Sequence, residues 1–486
     1  MTDFTPGVAR TAGDGPDQKL NTVEVAAAVA LEWIRFQAAW LDTVGVQAAM
    51  RYRGRLVLDS SFGVADVESA TPLTGDHLFR IASHSKTFTA TLIAQLFERE
   101  QLRLDDTVGE WIPELATSDL AKVTVRELLG HQGGVIRDGY AADYWQRARA
   151  FPDRDALIDI CQNGGATYEP NQYFKYSNIG YGLLGIIIEQ ASGQTYAECG
   201  ESHIAAILEL RRTGAEFEPD RADEFASGHT GRLVAGDTRR RIPHVETGAL
   251  ASATGWYSTA RELTAYFAAH RPGDERLMSD TSKRLLTRSE SQVPVGRTTF
   301  RYALGFEMRT IDEVDLLGHS GGYPGHITRS WLDVEADLAV SVFTNAIDGP
   351  ADGLATGAIG IVRLALKHHE AITPTSADVA GLVGRYANLW GVIDIVRLGG
   401  ALFLLNAREP DPVAFAQRII DDGRGGLQFE PEAGFGSVGE SIGVERAPNG
   451  TVEVVVAGAM SFVPFDDYRN GLYYDATEGW HERMAL

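Results

Sequence analysis

Apolar side chains recur every three to four residues in several stretches of the chain, which is the spacing of one face of a helix. In one stretch, Phe88, Leu92 and Leu96 lie one helical turn apart behind a serine, so this face is expected to enter a core. The pattern predicts helices in residues 23–41, 83–97, 174–189 (after an opening loop) and 260–270.

Short runs of β-forming residues, bounded by turn residues, predict strands elsewhere. Arg53-Gly54 separates two such runs and predicts a hairpin. Two further hairpins are predicted at Gly399-Gly400 and at Asn449-Gly450, where Asn-Gly favours a tight two-residue turn. The runs are residues 46–52, 55–59, 328–334, 338–345, 392–398, 401–405, 441–446 and 452–456.

A chain of 486 residues is long enough for two or three domains with a sizeable core. Residues 1–22 are polar and rich in Gly, Pro and Asp, which predicts a disordered tail. Near residue 373 the composition changes, and regular short strands with turn signals begin. We therefore predict a main domain over residues 23–372 and a small β-barrel accessory domain over residues 377–486.

Residues 213–245 are charged and irregular, with three arginines at positions 239–241. A solvated surface insertion is the favoured interpretation, and a loop that helps to define a substrate pocket is the alternative. The accessory domain has two similar interpretations, a structural module or a source of a loop that limits access to a cleft.

The formal net charge of -22 argues against nucleic acid or an anionic membrane surface as a partner, because both would repel the protein. Cys161 and Cys199 form no Cys-x-x-Cys pair, so neither a disulfide framework nor a thiolate metal site is predicted. The N-terminal residues lack the pattern of a secretory signal, and no window has the apolar length of a membrane span. These features predict a cytoplasmic protein.

Ser83 and Lys86 are three residues apart at the start of the predicted apolar helix, which places them on one helix face. A serine hydroxyl needs a base within hydrogen-bond reach to act as a nucleophile. A lysine held out of water loses proton affinity and can be that base. The alternative is a solvated helix face, and the apolar surroundings of Lys86 argue against it.

Tyr176 and Asn178 lie two residues apart where a loop enters the second apolar helix. At the mouth of a buried helix, both side chains can face a cleft. The phenol can relay or take a proton, and the amide can hold a substrate carbonyl and the lysine amine.

The glycine-rich stretch 318–325 has two chemical interpretations. In the first, Gly318-x-Ser320-x-Gly322 is a nucleophile elbow with Ser320 as the nucleophile, which requires a helix directly after the serine. In the second, His319-Ser320-Gly321-Gly322 lies on a strand edge, and the N–H of Gly322 points into an oxyanion hole. The second interpretation is favoured, because helix-breaking residues and two strand-like runs follow.

Three motifs occur in one order: Ser83-x-x-Lys86, then Tyr176-x-Asn178 after 176 − 83 = 93 residues, then His319-x-Gly321 after 319 − 176 = 143 residues. In this order they resemble the penicillin-recognising serine hydrolases. The closer resemblance is to the class C β-lactamase, D-aminopeptidase and DD-peptidase branch (peptidase family S12) and its esterase relatives. Residues 123–134 resemble the family's Leu-Leu-x-His segment, and the resemblance covers roughly residues 24–370.

The resemblance implies that Ser83 is the acylated nucleophile, Lys86 its activating partner and Tyr176 the proton relay. It also implies that Asn178 orients the substrate and that His319 takes the place of a lysine found in many relatives. The N–H groups of Ser83 and Gly322 would form the oxyanion hole, and Gly321 would belong to the strand edge that binds the substrate. The implied reaction is acyl transfer to water on a small molecule or short peptide, with no metal or organic cofactor.

The fold implied by the resemblance is of the α+β class: a β-lactamase-like antiparallel sheet flanked by helices, with an all-helical lobe inserted after the Ser83 helix. The C-terminal barrel is similar to the lipocalin-like domain of some members. His84 departs from the family pattern, and its position on the helix keeps it from acting as the base.

His319 also departs from the pattern, because a neutral imidazole attracts a substrate carboxylate less than a lysine does. Amide, peptide or ester hydrolysis is therefore ranked above penicillin hydrolysis. The alternatives are a carboxylesterase or a β-lactamase on the same site, or a catalytically silent relative that only binds a ligand.

Overall fold

The computed structural model describes residues 16–147, 149–295, 298–311, 313–432, 436–475 and 479–482. The chain divides into two compact units, one formed by residues 38–356 and the other by residues 1–37 together with 357–486. Among the described residues, no helix combines the length and the apolar content that a membrane crossing requires.

The centre of the larger unit is a nine-stranded antiparallel sheet, with strand order β3-β2-β1-β13-β12-β11-β10-β9-β8. The predicted hairpin around Arg53-Gly54 and the two strands after the glycine-rich stretch are confirmed in it. The strands are β1 Gly45–Tyr52, β2 Arg55–Asp66, β3 Thr71–Pro72, β8 Ser291–Val295, β9 Thr298–Tyr302, β10 Glu307–Ile311, β11 Val314–Tyr323, β12 His326–Asp333 and β13 Leu338–Thr344.

Two small antiparallel pairs lie outside this sheet: β4 Phe79–Arg80 with β7 Tyr257–Ser258, and β5 Gly228–His229 with β6 Arg241–Ile242. The second pair belongs to the predicted insertion 213–245, which is otherwise irregular apart from a short 3-10 helix, Pro219–Glu224. The insertion is tied to the strand before Ser83, because Glu216 accepts a hydrogen bond of 2.9 Å from the buried Arg80 guanidinium.

The four predicted helices are present, and the described residues form seven others. On the helix that follows Ser83, the Phe88 ring stacks between Trp256 and Tyr266, with centroids 3.9 and 3.8 Å away, so its predicted apolar face is buried. The helices are α1 Pro16–Trp40, α2 Ser85–Glu98, α3 Val108–Trp111, α4 Val125–Leu129, α5 Arg154–Gln162, α6 Asn178–Ser192, α7 Tyr196–Gly200, α8 Ala260–Ala268, α9 Asp280–Leu286, α10 Ala351–Lys367 and α11 Phe465–Arg469.

The segment between β4 and β8 is dominated by α2–α9, as expected for a helical region inserted between the first and the later strands of the sheet. At the N-terminus, α1 begins at Pro16, so residues 16–22 of the predicted tail are helical. Residues 1–15 of that tail lie outside the described residues.

The smaller unit contains a closed barrel of eight antiparallel strands. Both predicted hairpins are confirmed in it. Its interior is filled by apolar side chains, including Leu402, Ile419, Phe429 and Val455. The strands are β14 Gly384–Ala387, β15 Val392–Leu398, β16 Ala401–Asn406, β17 Gln417–Asp421, β18 Leu427–Phe429, β19 Ser441–Arg446, β20 Val452–Ala457 and β21 Met460–Pro464, and a separate hairpin follows, β22 Leu472–Asp475 and β23 Gly479–Glu482.

Candidate active site

Ser83 lies in a 3-10 turn, Ala82–His84, that leads directly into α2. It is partly exposed, whereas every other residue from 78 to 96 is buried. Ala82 before it has a φ of +46°, a left-handed conformation that is costly for a residue with a Cβ. Such strain is concentrated at functional sites. The chain therefore presents the serine hydroxyl alone from a buried, strained turn.

The buried Lys86 amine is held by three acceptors. Its Nζ lies 3.1 Å from Ser83 Oγ, 2.7 Å from Asn178 Oδ1 and 2.9 Å from the carbonyl oxygen of Ala253. Burial, which disfavours the charged form, lowers the pKa of Lys86 from its ordinary 10.5 to about 7. A substantial fraction of this lysine is therefore neutral at neutral pH.

Tyr176 lies on the other side of the serine hydroxyl. Its phenol donates a hydrogen bond of 2.8 Å to Ser83 Oγ, and its ring centroid lies 4.8 Å from Lys86 Nζ. Burial raises the pKa of Tyr176 above its ordinary value, so the phenol keeps its proton. Behind it, the His131 ring lies 4.3 Å away, between centroids, and supports the phenol from the α4 side.

Asn178 is the first residue of α6, whose preceding Ser177 caps the helix by accepting from Gly180 N–H at 2.8 Å. The amide makes two opposite contacts: Oδ1 accepts from Lys86 at 2.7 Å, and Nδ2 donates to Asp138 Oδ1 at 2.7 Å. Asn178 thus links the lysine to a carboxylate in the loop after α4.

His319 lies on β11 and is fully buried. Its Nε2 is 3.1 Å from the Tyr302 hydroxyl, and its Nδ1 is 2.7 Å from the carbonyl oxygen of Ser320. Burial outweighs the nearby Glu307 carboxylate and lowers the pKa of His319 to about 4. The imidazole is therefore neutral near pH 7, and Tyr302 lies between it and the phenol of Tyr176.

Gly321 brings β11 against the backbone that precedes Ser83. A Cβ at this position would lie 2.2 Å from the carbonyl oxygen of Ile81 and 2.3 Å from Thr328 Oγ1. Only a glycine leaves room for this contact. The backbone that packs against Gly321 is therefore the protein's own, at Ile81. Gly322 is exposed at the next position, opposite Ile327 of β12.

The interpretation of Ser320 as a nucleophile on an elbow is not supported by the local structure. β11 continues through Ser320 to Tyr323 and is followed by another strand, so the required strand-to-helix turn is missing there. Ser320 Oγ donates instead to Glu307 Oε1 at 2.8 Å. The buried His84 is directed toward β12, where its Nε2 lies 3.1 Å from Ser330 Oγ.

The structure adds residues that the sequence patterns did not identify. Arg137 and Asp138 lie in a loop after α4, and the Arg137 guanidinium lies 5.4 Å from the Tyr176 ring centroid. Glu307 is buried beside His319, with its Oε1 3.5 Å from His319 Nδ1. No sequence motif includes these residues, and only a three-dimensional contact could reveal them. Within the described ranges, no cluster of three or more His, Cys, Asp and Glu side chains is arranged to hold a metal.

Comparison with known families gives a match over the whole of the larger unit: the family model described as Beta-lactamase matches residues 35–362. Among curated proteins, Penicillin-binding protein 4* of Bacillus subtilis (strain 168) is 30% identical over 290 residues, which cover 57% of this chain and 62% of that protein. Penicillin-binding protein 4 of Amycolatopsis lactamdurans is 25% identical and is matched over 67% of this chain and 88% of its own length.

Two solved structures show the same fold. The octameric penicillin-binding protein homologue from Pyrococcus abyssi has a TM-score of 0.61 at 22% identity, covering 90% of this chain and 99% of that one. The D-amino acid amidase from Ochrobactrum anthropi SV3, complexed with L-phenylalanine, has a TM-score of 0.60 at 24% identity, covering 72% and 100%.

Proposed function

The chain belongs to the beta-lactamase family, and we propose that it is a serine hydrolase that cleaves an amide, peptide or ester bond through an acyl-enzyme at Ser83. The observation that carries the proposal is the pair of contacts on Ser83 Oγ, 3.1 Å from Lys86 Nζ and 2.8 Å from the Tyr176 hydroxyl. A nucleophile with a base and a proton donor in direct contact is the arrangement that acyl transfer requires.

The contacts of Lys86 explain how it would act as the base. A neutral amine has two hydrogens and one lone pair. Asn178 Oδ1 and the Ala253 carbonyl are acceptors only, so they take the two hydrogens. The lone pair is then left to face Ser83 Oγ.

In the proposed reaction, Ser83 Oγ passes its proton to Lys86 and forms a bond with the substrate carbonyl carbon. The N–H groups of Ser83 and Gly322 would stabilise the resulting oxyanion. The bond to the leaving group then breaks, and the proton held by Lys86 reaches that group through the Tyr176 hydroxyl. Water then attacks the acyl carbon and passes a proton through the Tyr176 hydroxyl to Lys86. The bond between that carbon and Ser83 Oγ breaks, Lys86 returns the proton to Oγ, and the acid is released.

The proposed substrate is a small molecule or a short peptide. The neutral, buried His319 provides no positive charge for a substrate carboxylate, which favours amides, peptides and esters over penicillins. The names of the relatives cover this range, since they include penicillin-binding proteins, an Esterase EstB from Burkholderia gladioli and a D-amino acid amidase. A cytoplasmic location remains a prediction from the sequence.

The proposal is tested by intact-mass spectrometry after treatment with a fluorophosphonate and, separately, with a penicillin. We expect one covalent adduct with the fluorophosphonate, lost in Ser83→Ala and kept in the matched control Ser320→Ala. Turnover would then be screened with p-nitrophenyl esters and D-amino-acid anilides. A folded protein that forms no adduct with either reagent would contradict the hydrolase proposal and favour a ligand-binding protein.

A further inference from the structure

Asp138 is a carboxylate that none of the catalytic motifs includes, yet it contacts one of their residues directly. Its side chain is only 13% exposed. Oδ1 accepts from Asn178 Nδ2 at 2.7 Å and from Trp145 Nε1 at 3.1 Å, and Oδ2 accepts from Arg137 Nε at 3.0 Å. A carboxylate that receives three donors is held in a defined position.

The loop that carries Asp138 is also joined to the start of α6 through its backbone. The carbonyl oxygen of Arg137 accepts from Asn178 N–H at 2.9 Å. The Tyr144 hydroxyl donates to the carbonyl oxygen of Asp138 at 2.9 Å, which fixes the other end of the loop. Asp138 and Asn178 are therefore held together by both backbone and side-chain hydrogen bonds.

The two partners of Asn178 allow only one orientation of its amide. Lys86 presents N–H donors, and Asp138 presents only acceptors while it is ionised. If the amide were turned over, its NH2 group would face the lysine and its oxygen would face the carboxylate, and both contacts would become repulsive. Asp138 thus selects the orientation in which Oδ1 faces Lys86.

We propose that Asp138 is a positioning residue that acts through Asn178: it holds the amide so that Oδ1 keeps one hydrogen of Lys86 and leaves the lysine lone pair facing Ser83. This inference rests on the proposed function of Ser83 and Lys86. Since Asn178 Nδ2 has two hydrogens and Asp138 takes one, the second stays available for a substrate carbonyl.

A double-mutant cycle tests the route through Asn178. The measured quantity is the rate constant for acylation of Ser83 by a fluorophosphonate in Asp138→Ala, Asn178→Ala and the double variant. Each single variant should be slower by roughly 10- to 100-fold, the range for a hydrogen bond to a charged group. The double variant should be no slower than Asn178→Ala alone, because both changes remove one interaction. Losses that multiply would overturn the proposal.

Asp138→Asn separates positioning from charge. Its side-chain oxygen can still accept from Asn178, so acylation should recover to within a few-fold of the wild type at high pH. The ionised Asp138 raises the pKa of Lys86, so its neutralisation should lower that pKa. Asp143→Asn, which removes the same charge from an exposed position of the same loop, should leave the pKa unchanged.

The titration of Lys86 can be followed without turnover, by NMR of 13Cε-labelled lysine with Lys86→Arg for assignment. A wild-type protein that is never acylated would contradict the proposed function. In that case, a Lys86 pKa that is lowered in Asp138→Asn but not in Asp143→Asn would still show that Asp138 acts on Lys86. Normal acylation in Asp138→Ala, with a wild-type melting temperature, would refute the positioning role and leave the hydrolase proposal intact.

Discussion

Lys86 shows at the scale of one residue how position determines chemistry. An exposed lysine is almost wholly protonated at neutral pH and cannot take a proton from serine. Here the amine is fully buried, and the carboxylates of Asp138 and Glu307, which raise its pKa, are opposed by Arg137. Burial therefore has the larger effect, so the neutral amine that the proposed base role requires is present near neutral pH.

A pH dependence follows from this lowered pKa. Only the neutral amine can accept the serine proton, so the acylation rate should be constant above about pH 7 and fall tenfold per pH unit below it. The measurement is the second-order rate constant for fluorophosphonate labelling between about pH 5 and 9. This range extends roughly two pH units on either side of the Lys86 pKa.

Lys86→Arg serves as the control for this pH dependence, because a guanidinium keeps its proton throughout the range. Its labelling should be slow and should lack the step near neutrality. If the wild-type rate instead continued to rise toward pH 10, Lys86 would titrate like an exposed lysine and would not be the base.

At the scale of elements, the site depends on how closely β11 approaches the turn before α2. The strand brings Gly321 to the carbonyl of Ile81, two residues before Ser83, at a distance that leaves no room for a Cβ. The same strand carries the buried His319 and, three positions later, the exposed Gly322. The absence of a side chain at Gly321 therefore determines how close the strand, with the proposed oxyanion donor Gly322, lies to the serine.

Gly321→Ala should separate the strand from the turn. We expect the acylation rate to fall at least tenfold and the free energy of unfolding to fall by about 1–3 kcal/mol, the usual cost of an extra methyl in a tightly packed site. The measurements are fluorophosphonate labelling and urea denaturation.

The matched control for this substitution is Gly353→Ala, the same chemical change on helix α10, where nothing lies within 4 Å of the new Cβ. This variant should be labelled at the wild-type rate. Equal rates in Gly321→Ala and Gly353→Ala would show that the approach of β11 does not position the nucleophile.

At the scale of the whole molecule, the chain builds two compact units with separate apolar cores. One contains the nine-stranded sheet and the residues around Ser83. The other contains an eight-stranded barrel. The barrel strands form a sheet of their own that closes on itself, so no strand edge of the barrel is left unpaired. We propose that the barrel is the accessory domain predicted from residues 377–486.

The barrel core provides a test of this organisation. Leu402 is fully buried on β16, so Leu402→Ala should lower the free energy of unfolding of its unit by about 2–5 kcal/mol, through lost burial and a cavity. Leu389→Ala is the control, because that side chain is 83% exposed and its removal should change the free energy by less than about 0.5 kcal/mol. Denaturation midpoints that are equal in both variants would contradict the packed interior.

The sequence by itself determined the elements and the order of the motifs. Helical spacing predicted that Phe88, Leu92 and Leu96 of α2 enter a core, and the turn residues at Asn449-Gly450 predicted a hairpin of the barrel. Such features depend on neighbours along the chain, which a sequence displays directly. The motif order also indicated the β-lactamase-like fold, since it resembles that of a known family.

Only the tertiary structure decided which residues meet and how far each is buried. Asp138 contacts Asn178 across 40 positions of the chain, and Lys86 meets the carbonyl of Ala253 across 167. The same long-range packing buries His319 and turns Ser320 toward Glu307. Desolvation of a charge and the orientation of an amide arise from groups that are distant in sequence, so residue order alone contains no local signal for them.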